Sequence, residues 1–419
     1  MKIKEIFTPG RFPTWTYVDD HLKDKEQKLH DVLDDGATLV SISGPSKSGK
    51  TVFVEHIIGK DNLIQVTGAG VRTTSDLWIR VFDIIGTPIA TSTSSGRTIS
   101  GTVGAKGSVE GSILVAKGKG ELSGSGTYST QKSDTDVEAI DQLQLLIEEL
   151  SGTDYVIFID DFHYISREIQ SELAQQIKEA IRQGVKIICA SVPYHSDDVI
   201  RSNPDLRGRI FSIDFDYWGN EVLKKIAHKG FKKGNIVHRP KMVDRLVAES
   251  AGSPQLMQYL CLNACYEIDV REVPEEPIDL VFEQNLFERV CRRTVLSTDY
   301  SSVVDKMIEG PKTRGSDRKI HISTYGWQGD IYKFLVKSLS LDPPQLNFRY
   351  QPLVDRITSI CTGDPPSGSS ITSACHHAAA IANSTAVDNI VEWDGENDVF
   401  DIRDPYLLFY LRWSDMIDG

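Results

Sequence analysis

The sequence predicts an α/β chain: a parallel sheet with helices on both faces, then a helical segment, then a compact C-terminal module. Three observations carry this. Residues 37–44 (ATLVSISG), 155–159 (YVIFI) and 185–190 (VKIICA) are short, nearly continuous apolar runs, as strands buried on both faces require. Stretches of helical periodicity alternate with them, the pattern of a crossover-connected parallel sheet. After Trp218 the strand-like runs stop until the last part of the chain.

In order, 37–44 is a buried strand running into a glycine turn, and 50–59 (KTVFVEHIIG) is a helix. Residues 62–66 form a second strand, and Thr74 or Ser75 caps a helix that continues to Ile85. Residues 136–150 are helical and 155–159 a strand. The amphipathic helix 166–183 and the strands 185–190 and 211–215 follow. From 218 to about 309 the pattern is almost wholly helical. The remainder reads as a winged-helix module, with helices at 330–339, 350–361 and 369–383 and a hairpin at 389–402 turning at Gly395. A helical tail, PYLLFYLRW, closes it. The expected domains are therefore 1–215, 216–310 and 311–419.

One insertion, at about 94–130, breaks the pattern with nine glycines between Gly96 and Gly126. Such composition suits a flexible linker. Its period-two alternation, with parity flipping after Ile113-Leu114-Val115, also suits a two-stranded hairpin with an apolar tip.

The chain has 419 residues, 40% hydrophobic and 25% charged, ordinary for a globular protein with a substantial core. A formal charge of −13 gives no general attraction to polyanions, so a nucleic-acid site would need a local basic patch. No run approaches the ~18 apolar residues of a membrane helix, and the start shows no signal-peptide core. The six cysteines form no CxxC pair. These features predict a cytoplasmic protein, with no membrane partner expected.

The chemistry starts at Gly44-Pro45-Ser46-Lys47-Ser48-Gly49-Lys50-Thr51, a full G-x-x-x-x-G-K-[ST] match between a strand and a helix. The glycines let the backbone wrap so that successive N–H groups face phosphates, and the helix adds its positive dipole end. Lys50 would sit on the β- and γ-phosphates and Thr51 would ligate magnesium. The strand 155–159 then delivers Asp160 and Asp161. Asp160 is expected to hold magnesium and Asp161 to activate the attacking water. The expected fold class is therefore α/β, a P-loop NTPase sheet with a helical lid and a C-terminal winged-helix domain. The expected cofactors are a nucleoside triphosphate and Mg2+, and the choice of ATP rests on the family resemblance that follows.

Further segments resemble the AAA+ and STAND ATPases, nearest to their origin-recognition-type and bacterial defence-type members, over roughly residues 15–270 and more weakly in the tail. Thr16-Tyr17-Val18 resembles the segment that covers the adenine, which implies contacts from Tyr17 and Val18. Ser191 stands at the sensor-1 place. Arg207 and Arg209 stand where the family carries an arginine finger aimed at a neighbour's ATP. Ala251-Gly252-Ser253-Pro254 resembles the STAND G-x-P motif, whose proline, here Pro254, packs near the adenine. The resemblance departs at Asp161, where glutamate is commoner and hydrolysis is therefore expected to be slow. It departs again at the missing sensor-2 arginine.

The resemblance implies an ATPase acting as an oligomerising switch, in phage defence or another stress response, with effector activity in a partner chain. The alternative is an ATP-dependent DNA-binding initiator or regulator. Residues 345–419 carry 4 Arg or Lys against 11 Asp or Glu, a net of 4 − 11 = −7, and helix 369–383 has no Lys or Arg. Nucleic acid is therefore not expected on that helix. The polyanion footprint that remains is the run Lys224, Lys225, His228, Lys229, Lys232, Lys233, His238, Arg239 and Lys241, with a smaller one at Lys312, Arg314, Arg318 and Lys319.

Overall fold

The computed structural model describes residues 1–87, 141–192, 206, 208–312, 318–386 and 389–414. The insertion predicted at about 94–130 lies outside the described residues, as does Arg207.

The elements begin with α1 (Ile3–Ile6), α2 (Lys23–Asp35), β1 (Leu39–Ser43), α3 (Lys50–Ile58), β2 (Leu63–Thr67) and α4 (Thr74–Ile85). Then come α5 (Gln142–Leu150), β3 (Val156–Asp160), α6 (Arg167–Arg182), β4 (Lys186–Ser191) and β5 (Ile210–Asp214). The helical segment holds α7 (Asn220–Lys233), β6 (Ile236–His238), α8 (Pro240–Ser250), α9 (Pro254–Glu267), β7 (Ile278–Leu280), α10 (Gln284–Val295) and α11 (Ser301–Glu309). The C-terminal part contains β8 (His321–Ser323), β9 (Gln328–Gly329), α12 (Ile331–Leu339), β10 (Asn347–Arg349), α13 (Tyr350–Ser359) and β11 (Cys361–Thr362). It ends with α14 (Gly368–Thr385), β12 (Val391–Asp394), β13 (Val399–Ile402) and α15 (Pro405–Trp413).

Among the described residues the main sheet has five strands in the order β2-β3-β4-β1-β5. β2 pairs with β3 and β3 with β4, both in parallel, with Ile157 beside Ile64 and Ile187. β1 is buried at all five positions, which explains its unbroken apolar run.

The described chain divides into two compact units, Leu29–Ser41 with Ile58–Ser212, and Met1–Lys28 with Ile42–Ile57 and Ile213–Gly419. In the first, Leu77, Trp78, Val81 and Phe82 of α4 join Leu173, Ile177 and Ile181 of α6 in a core with Ile157 and Ile159. Each such side chain contributes about 1.5–3 kcal/mol on burial. The sequence placed the cap of α4 at Thr74 or Ser75; the cap is Thr73, whose hydroxyl accepts from Asp76 N–H while the Asp76 carboxylate accepts from Thr73 N–H. That reciprocal pair satisfies two end-of-helix donors, which neither later residue does.

In the second unit, Ile3, Ile6 and Phe7 bury themselves among α7 and α9 residues such as Phe231 and Leu260. Phe7 meets Phe231 edge-on at 5.4 Å, and an added Cβ at Gly230 would overlap the Phe7 ring. The segment expected to be almost wholly helical also holds two short strands: β6 and β7 pair in parallel, Val237 opposite Asp279. Three-residue strands carry too little periodicity to separate from loops.

In the C-terminal part the predicted hairpin is β12–β13, antiparallel, with Asp394 Oδ1 accepting from Glu396 and Asn397 N–H in its turn. β10, unmarked in the sequence, adds to β13 and gives the order β10-β13-β12. A second small sheet, β11-β8-β9, was also unmarked. α15 is buried from Pro405 to Leu411, as its all-round apolar sequence requires.

Candidate functional site

The loop 44–51 leaves β1 at Ser43, whose carbonyl accepts from Phe215 N–H at 2.7 Å and whose hydroxyl donates to Asp214 Oδ1 at 2.5 Å. Lys47 and Gly49 adopt φ of 62° and 97°, the left-handed conformation that turns consecutive amides toward one concavity. α3 begins at Lys50, and its first turn presents N–H donors that have no partner within the helix. The loop is thus built as an anion cradle, and ATP phosphates fit its donor set. The buried Lys50 ammonium donates to Gly44 O at 2.7 Å and Pro45 O at 2.8 Å, so it lies folded across the same cradle. Thr51 follows in the first turn of α3, half-buried. Pro45 and Ser46 are half-buried and Ser48 is buried.

Gly44 has a second reason to be glycine. A Cβ there would come within 2.8 Å of Phe215 O and overlap Phe215 Cβ, so β5 closes against the loop at this point. A Cβ on Gly49 would meet Trp218 Cζ2 at 3.7 Å and Pro254 Cγ at 3.9 Å. Pro254 therefore lies beside the loop, at the start of α9, where Ser253 Oγ caps by accepting from Leu256 N–H.

Val18 is buried and Tyr17 half-buried. Tyr17 lies against His56 of α3 with centroids 4.2 Å apart, and Phe12 stacks on Tyr17 at 5.7 Å. The Tyr17 carbonyl accepts from Lys229 Nζ at 2.6 Å. Burial, aided by the charges of Glu26 and Asp19, pushes the Tyr17 hydroxyl well above the usual phenol range.

The acids belong to the other unit. β3 ends in Asp160, and Asp161 follows at φ 55°, opening a short helical turn. Asp161 N–H donates to Asp160 Oδ1 at 3.0 Å, and Gly68 N–H donates to Asp160 O at 2.8 Å. A Cβ at Gly68 would lie 2.6 Å from Asp161 O, so the bend after β3 presses on the bend after β2. Ile159 pairs with Cys189, which brings Ser191 to the same strand end as Asp160 and Asp161. Arg209 is half-buried just before β5, with its carbonyl accepting from Leu39 N–H.

No protein-family model matches this chain, and no curated protein matches it. Among solved structures, the ORC2 protein of Aeropyrum pernix, described with its ADPNP and ADP complexes, is similar at 12% identity. The match covers 99% of this chain and 98% of that one, with a TM-score of 0.50. This chain has an α/β P-loop NTPase fold. A Walker-type ATPase of Pyrococcus abyssi (12% identity, 93% and 95% covered, TM-score 0.48) and Cdc6p of Pyrobaculum aerophilum (13%, 99% and 98%, 0.44) are further similar structures.

Sequence reasoning missed several groups around the P-loop. Trp218 Nε1 donates to Ser48 O at 2.8 Å. Lys47 Nζ lies 2.8 Å from Asp404 Oδ2 and 4.4 Å from the Tyr406 ring centre. None of these has a fixed sequence distance from the loop, so no motif signals it.

The lysines of 224–241 also read differently in three dimensions. Lys224 lies between Glu221 and Asp244 at 2.8 and 2.9 Å, and Lys225 pairs with Asp20 at 2.6 Å. Lys233 sits 3.7 Å over Trp15 and Lys241 4.4 Å over Phe282. Much of the cluster is engaged within the chain. In the smaller cluster Arg318 pairs with Asp330 at 2.6 Å, while Arg314 lies outside the described residues.

Proposed function

We propose that this P-loop NTPase binds and hydrolyses ATP and works as an oligomerising conformational switch. The observation that carries the reading is the cradle itself: left-handed Lys47 and Gly49, then Lys50 at the start of α3, directly after a buried strand. Lys50 would bind the β- and γ-phosphates, and Thr51 and Asp160 would hold magnesium, which supplies charge neutralisation on the phosphates. Asp161 orients and deprotonates the water, Ser191 contacts the terminal phosphate, and Arg207 or Arg209 acts on a neighbouring copy's ATP. Tyr17, Val18 and Pro254 border the adenine. The ADPNP and ADP named for the Aeropyrum structure are the class of ligand proposed here.

The three domains keep the expected boundaries in this reading: core 1–215, lid 216–310, winged helix 311–419. Helix, strand, helix, strand, helix and hairpin follow in the order α12-β10-α13-β11-α14-β12-β13, with β10 joining β13, which supports the winged-helix reading. Its acidity favours a protein contact over DNA. The DNA-loader alternative rests on the lid lysines, whose internal partners leave it weaker. A setting in antiviral defence with a partner effector follows from the resemblance alone.

Lys50→Ala tests the site. Binding of a fluorescent ATP analogue should be lost, since the substitution removes the cation fixed on the phosphates. Unchanged affinity in a folded variant refutes the assignment.

A further inference from the structure

Lys47 lies in the P-loop at φ 62°, a conformation that L side chains rarely adopt, and its side chain is not left to solvent. Its ammonium contacts Asp404 Oδ2 at 2.8 Å and the Tyr406 ring. The Asp404 side chain is only 9% exposed. Its Oδ2 also accepts from Tyr300 OH at 2.5 Å, while Oδ1 caps α15 by accepting from Tyr406 N–H at 2.9 Å. The flanking carbonyl of Arg403 accepts from Tyr217 OH at 2.7 Å, and the next residue, Trp218, holds Ser48 O.

α15 is fixed at its far end too. Arg412 forms a two-point pair with Glu249 of α8, and Trp413 Nε1 donates to the same carboxylate at 2.8 Å. A buried nine-residue helix therefore ties the phosphate-binding loop to the lid. A phosphate chain in this loop lies beside Lys47 and offers the lysine a second anionic partner. If Lys47 turns to it, Asp404 keeps a buried charge without its cation, which is costly. If Lys47 stays, Asp404 remains neutralised and the terminal phosphate loses a cation.

We propose that Asp404 is a positioning residue for the P-loop that competes with the terminal phosphate of a nucleoside triphosphate for Lys47. The C-terminal helix thereby distinguishes triphosphate from diphosphate. This rests on the ATP reading above.

The test is the ratio of ATP to ADP affinity, measured calorimetrically with magnesium on the full chain. Asp404→Asn removes the charge and keeps the Oδ1 acceptor that caps α15, while its amide NH2 faces Tyr300 as a donor to the hydroxyl oxygen. It should raise the ATP-to-ADP affinity ratio about tenfold. Lys47→Met keeps the apolar stem and should lower the ratio by a similar factor, about tenfold. A merely structural link moves both affinities together and both variants in the same direction, and that result overturns the proposal. Amide exchange over 405–413 should be faster in the wild type with a non-hydrolysable triphosphate than with ADP; equal exchange also overturns it. If the wild type binds neither nucleotide, the ATP reading fails and the proposal falls with it. Binding with an unmoved ratio sinks the competition alone.

Discussion

Arg412 and Glu249 meet through two hydrogen bonds, Nε–Oε2 at 2.9 Å and Nη2–Oε1 at 2.8 Å, with side chains only 5% and 1% exposed. Arg412 Nη1 also donates to Ser340 O at 2.7 Å, and Nη2 reaches Asp342. Each Glu249 oxygen thus accepts from Arg412 and every Arg412 nitrogen donates, the kind of pairing under which buried charges are tolerated. Arg412→Ala strands Glu249 and should cost about 3–5 kcal/mol in urea unfolding. Replacing both partners with apolar residues should cost less than either single change. A loss below about 1 kcal/mol for Arg412→Ala is the surface-pair value and contradicts the assignment.

The Thr73–Asp76 box should be worth about 1 kcal/mol, read as the loss on Thr73→Ala. The Asp76 carboxyl is held below its ordinary range, chiefly by the Arg72 N–H bond, then by Thr73. Because the folded pKa is depressed, the contribution is complete above the ordinary carboxylate range and is lost as pH falls through the depressed value. Melting temperatures from neutral to acid pH should converge for wild type and Asp76→Asn at the acid end. A gap that stays constant with pH contradicts this.

Native labelling should separate the cysteines. Cys189, Cys261, Cys265, Cys291 and Cys375 are buried and Cys361 is half-buried. Burial raises the thiols of Cys261, Cys265, Cys291, Cys361 and Cys375, the last to about 12, so thiolate is scarce at neutral pH. A maleimide should modify Cys361 first and the others only on unfolding. Early modification of Cys261 or Cys265, read by peptide mass, runs against the burial of α9.

Asp161→Ala should retain ATP binding and lose turnover by about a hundredfold or more, the typical contribution of a general base. Asp160, already hydrogen-bonded to Asp161 N–H through Oδ1, keeps its place at the end of β3. Steady-state hydrolysis with parallel binding measurements checks this. Turnover at the wild-type rate removes Asp161 from the proposed chemistry.

The eight residues of the P-loop were legible because their chemistry is local. Glycine and lysine spacing specifies where the backbone turns and where the cation starts its helix, and the flanking apolar runs specify the strand. The strands β3 and β4 were legible for the same reason, as was the placement of Asp160 at a strand end. The cap of α4 slipped by one residue because Thr73, Thr74 and Ser75 are chemically alike, and only the bond to Asp76 separates them. Short strands such as β6, β7 and β10 carried no periodicity of their own and exist because a partner strand pairs with them. Asp404 was one acid among eleven in an acidic tail, and Lys47 an unconstrained position of a motif. They are 357 residues apart, so no local preference encodes their 2.8 Å contact. Sequence determined the longer elements and the glycine-lysine loop between β1 and α3, because backbone preference acts over a few residues. Tertiary packing alone decided which charges are spent on one another, because an ion pair depends on where two distant segments are buried together.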